Sequence, residues 1–243
     1  MATSPNLPQF IRLDTPFDDP TESPTFGPMA IGGDLSPGRL LEAYSNGIFP
    51  WFEHDTQPVM WWSPDPRCVL YPSSFHMSRS LAKSCKKHEF IATVDQDFNS
   101  VIEQCAQPRH NAESTWITPK MKQAYSLLHT QGYAHSLEVR LGQELIGGIY
   151  GISTGNHFYG ESMFSSTKNG SKVALMALCQ LLTCWEFELV DCQLPTAHLI
   201  SLGATTIPRI RFLELVKKNR SATTQRAPWD VTPFRVIPLI PSS

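Results

Sequence analysis

No G-x-S-x-G nucleophile elbow is expected of this chain, and no cysteine has an obvious activating context. Nucleophilic catalysis of the usual kinds is therefore not written into it. Walker and G-x-G-x-x-G loops are missing too, which removes the common phosphate cradles. The eight histidines form no H-x-x-x-H spacing, and the six cysteines (Cys68, Cys85, Cys105, Cys179, Cys184, Cys192) form no C-x-x-C pair. Neither a zinc site nor a disulfide framework is expected, and the cysteines read as reduced thiols. No apolar run approaches the roughly 18–20 residues that cross a bilayer, and no basic-plus-apolar leader opens the sequence. The expectation is a soluble cytoplasmic protein with no metal and no membrane partner. Charge is sparse as well. Asp, Glu, Lys and Arg make up 17% of the chain and the net charge is −2, so a nucleic acid would have to be held by a local patch.

Proline is abundant instead, with 20 in 243 residues, and favours turns and loops over a helical bundle. The 41% of hydrophobic residues suffice for one large domain, or a core domain with a small one beside it. Residues 1–28 lack sustained periodicity and read as an irregular arm. Ser36 and Pro37 supply an N-cap and a first-turn proline for a helix over 38–45, which Asn46-Gly47 stops. Phe49-Pro50-Trp51-Phe52 and Trp61-Trp62-Ser63-Pro64-Asp65-Pro66-Arg67 are extended aromatic segments. They read either as a small core or as a platform on which a base stacks. Residues 66–88 contain no acid, and Arg79, Lys83, Lys86 and Lys87 fall at helical spacing. That is either an ordinary solvated face or one that binds phosphates.

A strand at 90–94, a helix over 98–106, a helix capped by Thr118-Pro119 and a strand at 134–139 follow. The richest stretch comes next. An apolar run at 145–150, a turn at 153–156 and a return at 157–159 predict a hairpin, and Ser171 caps a helix to about 182. On local sequence Glu161 is either an exposed side chain at the hairpin's end or a carboxylate facing a concave site bounded by Gly160, Met163 and Phe164. A strand at 187–193 puts Asp191 and Gln193 two apart, on one face and able to hydrogen-bond each other. A carboxylate orienting an amide, beside a second carboxylate, is a device for taking a proton from an amine. Strands and helices alternate after residue 65, so the fold class is α+β with an α/β-like order.

Taken together and in order, the strings at 30–37, 47–52, 61–67, 115–118, 134–136, 160–165 and 191–193 resemble the bacterial leucyl/phenylalanyl-tRNA–protein transferases over roughly residues 25–215. The resemblance implies a small N-terminal domain (1–64) and a GNAT-like (N-acetyltransferase-like) catalytic domain (65–243). It implies transfer of Leu or Phe, less often Met, from aminoacyl-tRNA to the N-terminal Arg or Lys of a protein, which marks that protein for degradation. It implies no cofactor, since the acyl ester is already activated and amide formation needs no ATP. Carried over by motif, Asp191, Gln193 and Glu161 are the catalytic groups, and Trp51 and Trp116 surround the terminal adenosine. Ile149, Phe158 and Met163 line the pocket for the donor side chain, and Arg79, Lys83, Lys86 and Lys87 meet the acceptor stem. The arm and the chain beyond about 215 depart from the family pattern and receive no role. Two other readings remain: an acyl-CoA N-acetyltransferase, disfavoured by the single glycine in 165–171, and a tRNA-binding module, which leaves the three catalytic groups unused.

Overall fold

The computed structural model describes residues 8–108, 115–224 and 229–238. In chain order it forms β1 (Gln9–Ile11), β2 (Pro28–Gly32), α1 (Pro37–Ser45), β3 (Phe49–Pro50), β4 (Met60–Trp62), β5 (Arg67–Leu70), α2 (Arg79–Lys87), β6 (Phe90–Val94), α3 (Phe98–Cys105) and α4 (Pro119–Thr130). Then come β7 (Ala134–Leu141), β8 (Glu144–Thr154), β9 (His157–Ser165), α5 (Gly170–Cys184), β10 (Leu189–Gln193), α6 (Ala197–Ser201), β11 (Thr205–Ile207), α7 (Arg209–Asn219) and β12 (Phe234–Arg235). A small sheet has the order β1-β2-β4-β3, and a large one the order β11-β5-β10-β9-β8-β7-β6-β12. The mixed α+β class is as expected. From β6 to β10 the order is strand, two helices, three antiparallel strands, helix and a strand parallel to β9.

The large sheet buries both faces because β8 and β9 alternate between two apolar layers. Tyr150, Ile152 and Tyr159 face α1, α3, α4, α7 and the small sheet. Ile149 and Phe158 face α2 and α5. The small sheet thus shares its core with one face of the large one. The arm is pinned to this body. Its β1 pairs in parallel with β2, and the buried Arg39 and Arg209 guanidiniums take up arm carbonyls at Arg12, Thr15, Ser23 and Pro24.

The hairpin is longer and tighter than expected, with only Gly155-Asn156 at its turn. The string Gly151-Ile152-Ser153-Thr154-Gly155 spells a nucleophile-elbow spacing, but it joins two strands and Ser153 is fully buried. α5 starts at Gly170 with Asn169 as its cap residue, two residues before the expected cap Ser171. Close approach forces this. A Cβ on Gly170 would fall on the Ile146 carbonyl, and a Cβ on Gly147 would fall on the backbone of Gly170. Gly147→Ala should therefore cost about 3 kcal/mol by overpacking and lower the melting temperature by roughly 6–12 °C. An unchanged calorimetric melt would contradict this contact.

Candidate active site

β9 and β10 run parallel and pair over three residues only, Leu189 to Asp191 with His157 to Tyr159. Beyond that point β9 continues to Ser165 while β10 ends at Gln193. The gap between them is where the functional side chains converge. Two register breaks aim them. β9 shifts against β8 between Ser162 and Gly160, so Glu161 has no partner opposite. β10 shifts against β5 between Asp191 and Gln193, and Gln193 adopts φ 62°.

Glu161 is only 7% exposed, which settles its reading against a solvated hairpin end. Its Oε1 accepts from the Tyr44 hydroxyl at 2.6 Å and from Gln193 Nε2 at 3.1 Å, and its Oε2 accepts from the Tyr125 hydroxyl at 2.8 Å. Tyr44 and Tyr125 also lie 2.6 Å apart, oxygen to oxygen. Burial pushes the Glu161 carboxyl up to about 7 against the tyrosine hydrogen bonds that would lower it. Counting protons points the same way. With Glu161 ionised, the three side chains have two hydroxyl protons for three short contacts; with it protonated they have three, and the ring closes. The two tyrosines, pushed well above their ordinary values chiefly by burial, stay neutral donors.

Asp191 is fully buried and forks onto Arg67, with Nε to Oδ1 at 2.8 Å and Nη2 to Oδ2 at 2.6 Å. The expected Asp191–Gln193 hydrogen bond exists in a different form. Asp191 Oδ1 accepts the Gln193 backbone N–H at 2.9 Å, and the amide side chain turns to Glu161 instead. The Gln193 amide nitrogen is thus committed to Glu161 rather than to the Asp191 carboxylate.

A cavity of about 200 Å³ is lined by Glu161 and Gln193 with Phe49, Trp51, Trp116 and Leu199. The aromatic segments thus divide: Trp61 is core, while Trp51 and Trp116 are half-buried walls of the site. Met163 lines a separate cavity of about 380 Å³ with Gln104, Ser171 and His198. Ile149 and Phe158 line neither. They are 5% and 1% exposed on the α5 side of the sheet, with Ile149 directly across the strands from Met163. Arg79, Lys83, Lys86 and Lys87 are all exposed on α2, whose Leu81 and Cys85 face inward. None of the four is ion-paired among the described residues.

Sequence reasoning missed Tyr44, Tyr125 and Arg67. Both tyrosines occupy inward helical positions and read as core. The available signal was that a buried tyrosine hydroxyl needs a polar partner.

A splayed strand pair that brings a buried carboxylate, raised to about 7, against an amide is a site built for moving a proton. A family model described as leucyl/phenylalanyl-tRNA protein transferase matches residues 69–217, and the model of its N-terminal domain matches residues 33–65. The leucyl/phenylalanyl-tRNA–protein transferase of Pseudomonas syringae is 52% identical over 84% of this chain and 88% of that protein. The one from Legionella pneumophila strain Corby is 49% identical over 88% and 96%. A GCN5-related N-acetyltransferase from Kribbella flavida aligns at 9% identity over 70% of this chain and 60% of that one, with a TM-score of 0.31, too loosely to bear on the site. The chain belongs to the leucyl/phenylalanyl-tRNA protein transferase family, and is an aminoacyltransferase. Among the described residues no helix is long and apolar enough to cross a membrane.

Proposed function

We propose that this chain moves leucine or phenylalanine, and less readily methionine, from aminoacyl-tRNA to the N-terminal arginine or lysine of cytoplasmic proteins, marking them for degradation. The observation that carries this is Glu161 and Gln193 together at the mouth of a cavity walled by Trp51 and Trp116. The terminal adenosine stacks on the tryptophans, and the donor side chain enters beside Met163, over the apolar layer of Ile149 and Phe158. The neutral α-amine of the acceptor attacks the ester carbon. Gln193 accepts a hydrogen bond from the amine through its amide oxygen, and Glu161 takes the proton that the new nitrogen–carbon bond releases. The tRNA 3′ oxygen leaves with that proton, handed on by Glu161, which returns to its ionised form. Glu161 near 7 is matched to an α-amine of about 7.7–8, the condition for efficient proton transfer.

Residues 1–64 carry the Trp51 wall, residues 65–243 carry Trp116 and the reacting groups, and we assign the two segments as the small and catalytic domains. Acyl-CoA is a poor donor here. The Ser171 N–H at the start of α5 is already taken by Ser165 Oγ at 3.1 Å, and that hydroxyl donates on to Thr167. Incubation of an Arg-initiated peptide with leucyl-tRNA, with acetyl-CoA or with neither decides the matter by mass. One added leucyl residue is expected with the tRNA alone; acetylation, or no product, overturns the assignment.

The unpaired α2 cations are the proposed contact to the acceptor stem, read as charge rather than sequence. Arg79→Ala/Lys83→Ala should weaken different leucine isoacceptors alike and reduce the salt slope of binding by about 1–2. An unchanged slope takes α2 out of the interface.

A further inference from the structure

Arg67 closes the Trp61-to-Arg67 string, and the transfer reaction above makes no use of it. The side chain is fully buried at the start of β5. Its guanidinium lies 4.8 Å from the Phe49 ring centroid and 4.4 Å from that of Phe212. Phe49 belongs to the small sheet and also lines the Glu161 cavity; Phe212 belongs to α7. Held between those rings, the fork meets both oxygens of Asp191. A lysine would supply the charge without the second hydrogen bond or the planar stack. Asp191 Oδ1 also accepts the N–H of Gln193, the residue whose backbone is left-handed where β10 slips against β5. Such a conformation is uncommon for a side chain other than glycine, asparagine or aspartate and has to be held by its surroundings. From there the Gln193 amide reaches Glu161. One line of contacts thus runs from the small sheet to the reacting end.

We propose that Arg67 is a positioning residue for aminoacyl transfer: by forking onto Asp191 it fixes the backbone of Gln193 and so aims the Gln193 amide. The role rests on the reading of Gln193 and Glu161 as the groups that meet the amine. Asp191, sealed from substrate and neutralised by Arg67, acts on the reaction only through Gln193.

The test compares wild type, Arg67→Lys, Asp191→Asn and the charge-neutral pair Arg67→Gln/Asp191→Asn. Each is measured for melting temperature, aminoacyl-tRNA affinity and single-turnover leucyl transfer to an Arg-initiated peptide. Wild-type transfer separates the two readings: without it the reaction falls and this role with it; with it, the variants judge Arg67 alone. Arg67→Lys is expected to bind tRNA within about twofold of wild type and to transfer roughly 10–100-fold more slowly, because a small misplacement of a reacting group costs on that order. The paired variant should transfer at least about tenfold faster than Asp191→Asn, whose buried guanidinium is left without its partner. A wild-type rate in Arg67→Lys, a loss confined to melting temperature, or a paired variant no faster than Asp191→Asn overturns the role. If Arg67→Lys does not fold, the paired variant decides. If neither folds, the fork is a structural tie and the proposal fails.

Discussion

Glu161→Gln is expected to make the protein more stable and nearly inactive. The carboxyl titrates near 7 in the folded chain against an ordinary 4.5, chiefly because burial penalises its charged form. Between those values the folded state keeps a proton that the unfolded chain releases. Stability therefore falls as pH rises from 4.5 to 7, and above 7 the full penalty applies. A difference of that size corresponds to about 3 kcal/mol. The glutamine variant escapes it, since the Tyr44 and Tyr125 hydroxyls accept as readily as they donate. It should melt roughly 6–12 °C higher than wild type at pH 8, and level with it near pH 4. Single-turnover leucyl transfer should drop about 10²–10⁴-fold, the usual share of a positioned base. The pH profile separates these effects. Wild-type transfer rises through about 7 and again as the acceptor amine deprotonates; the variant keeps only the second limb. A variant that still shows the limb near 7 would place that proton on another group.

Both features of Glu161, its burial and its aim, come from a register break that no periodicity reports. The elements with plain signals were legible. Phe90–Val94 is the expected strand, Thr118 caps the helix from Pro119 through the Met121 N–H, and Pro37 opens α1. These depend on nearest neighbours along the chain. The hairpin's true length was not legible, because β9 runs on to Ser165 through a residue that faces no partner, and strict alternation gives no way to place it. The same holds at Asp191 and Gln193. Two residues apart on one strand they should touch side chain to side chain. The slip against β5 and the left-handed backbone at Gln193 send the amide to Glu161, and Arg67, 124 positions away, takes the carboxylate. Motif order located the site's three carboxylate and amide groups. The contacts that tune them, from Tyr44, Tyr125 and Arg67, are made across long sequence separations by residues with ordinary core positions. The arm was misread for a related reason. β1 has only three residues, and its pairing with β2 shows itself only once Arg39 and Arg209 gather the arm's carbonyls.

Gln193→Gly should leave the fold intact and remove most of the activity. At φ 62° glycine is at ease where glutamine is held against a steric preference of roughly 1–2 kcal/mol. Against that gain stands one hydrogen bond to Glu161, worth about 1 kcal/mol. The backbone N–H that Asp191 accepts is still present, so the slip in β10 has no reason to change. The melting temperature should stay within about 4 °C of wild type. The amide oxygen that meets the amine is gone, and the loss of one preorganised hydrogen-bonding group in a reaction centre costs roughly 10²–10³-fold in the chemical step. Affinity for aminoacyl-tRNA should hold, because Trp51, Trp116 and the α2 cations are untouched. Gln193→Asn makes the comparison sharper. Asparagine tolerates the left-handed backbone and keeps an amide, but one methylene shorter, so it should fold as well as the glycine variant and transfer nearly as poorly. Wild-type transfer rates in either variant would show that the Gln193 side chain only braces Glu161 and takes no part in guiding the amine.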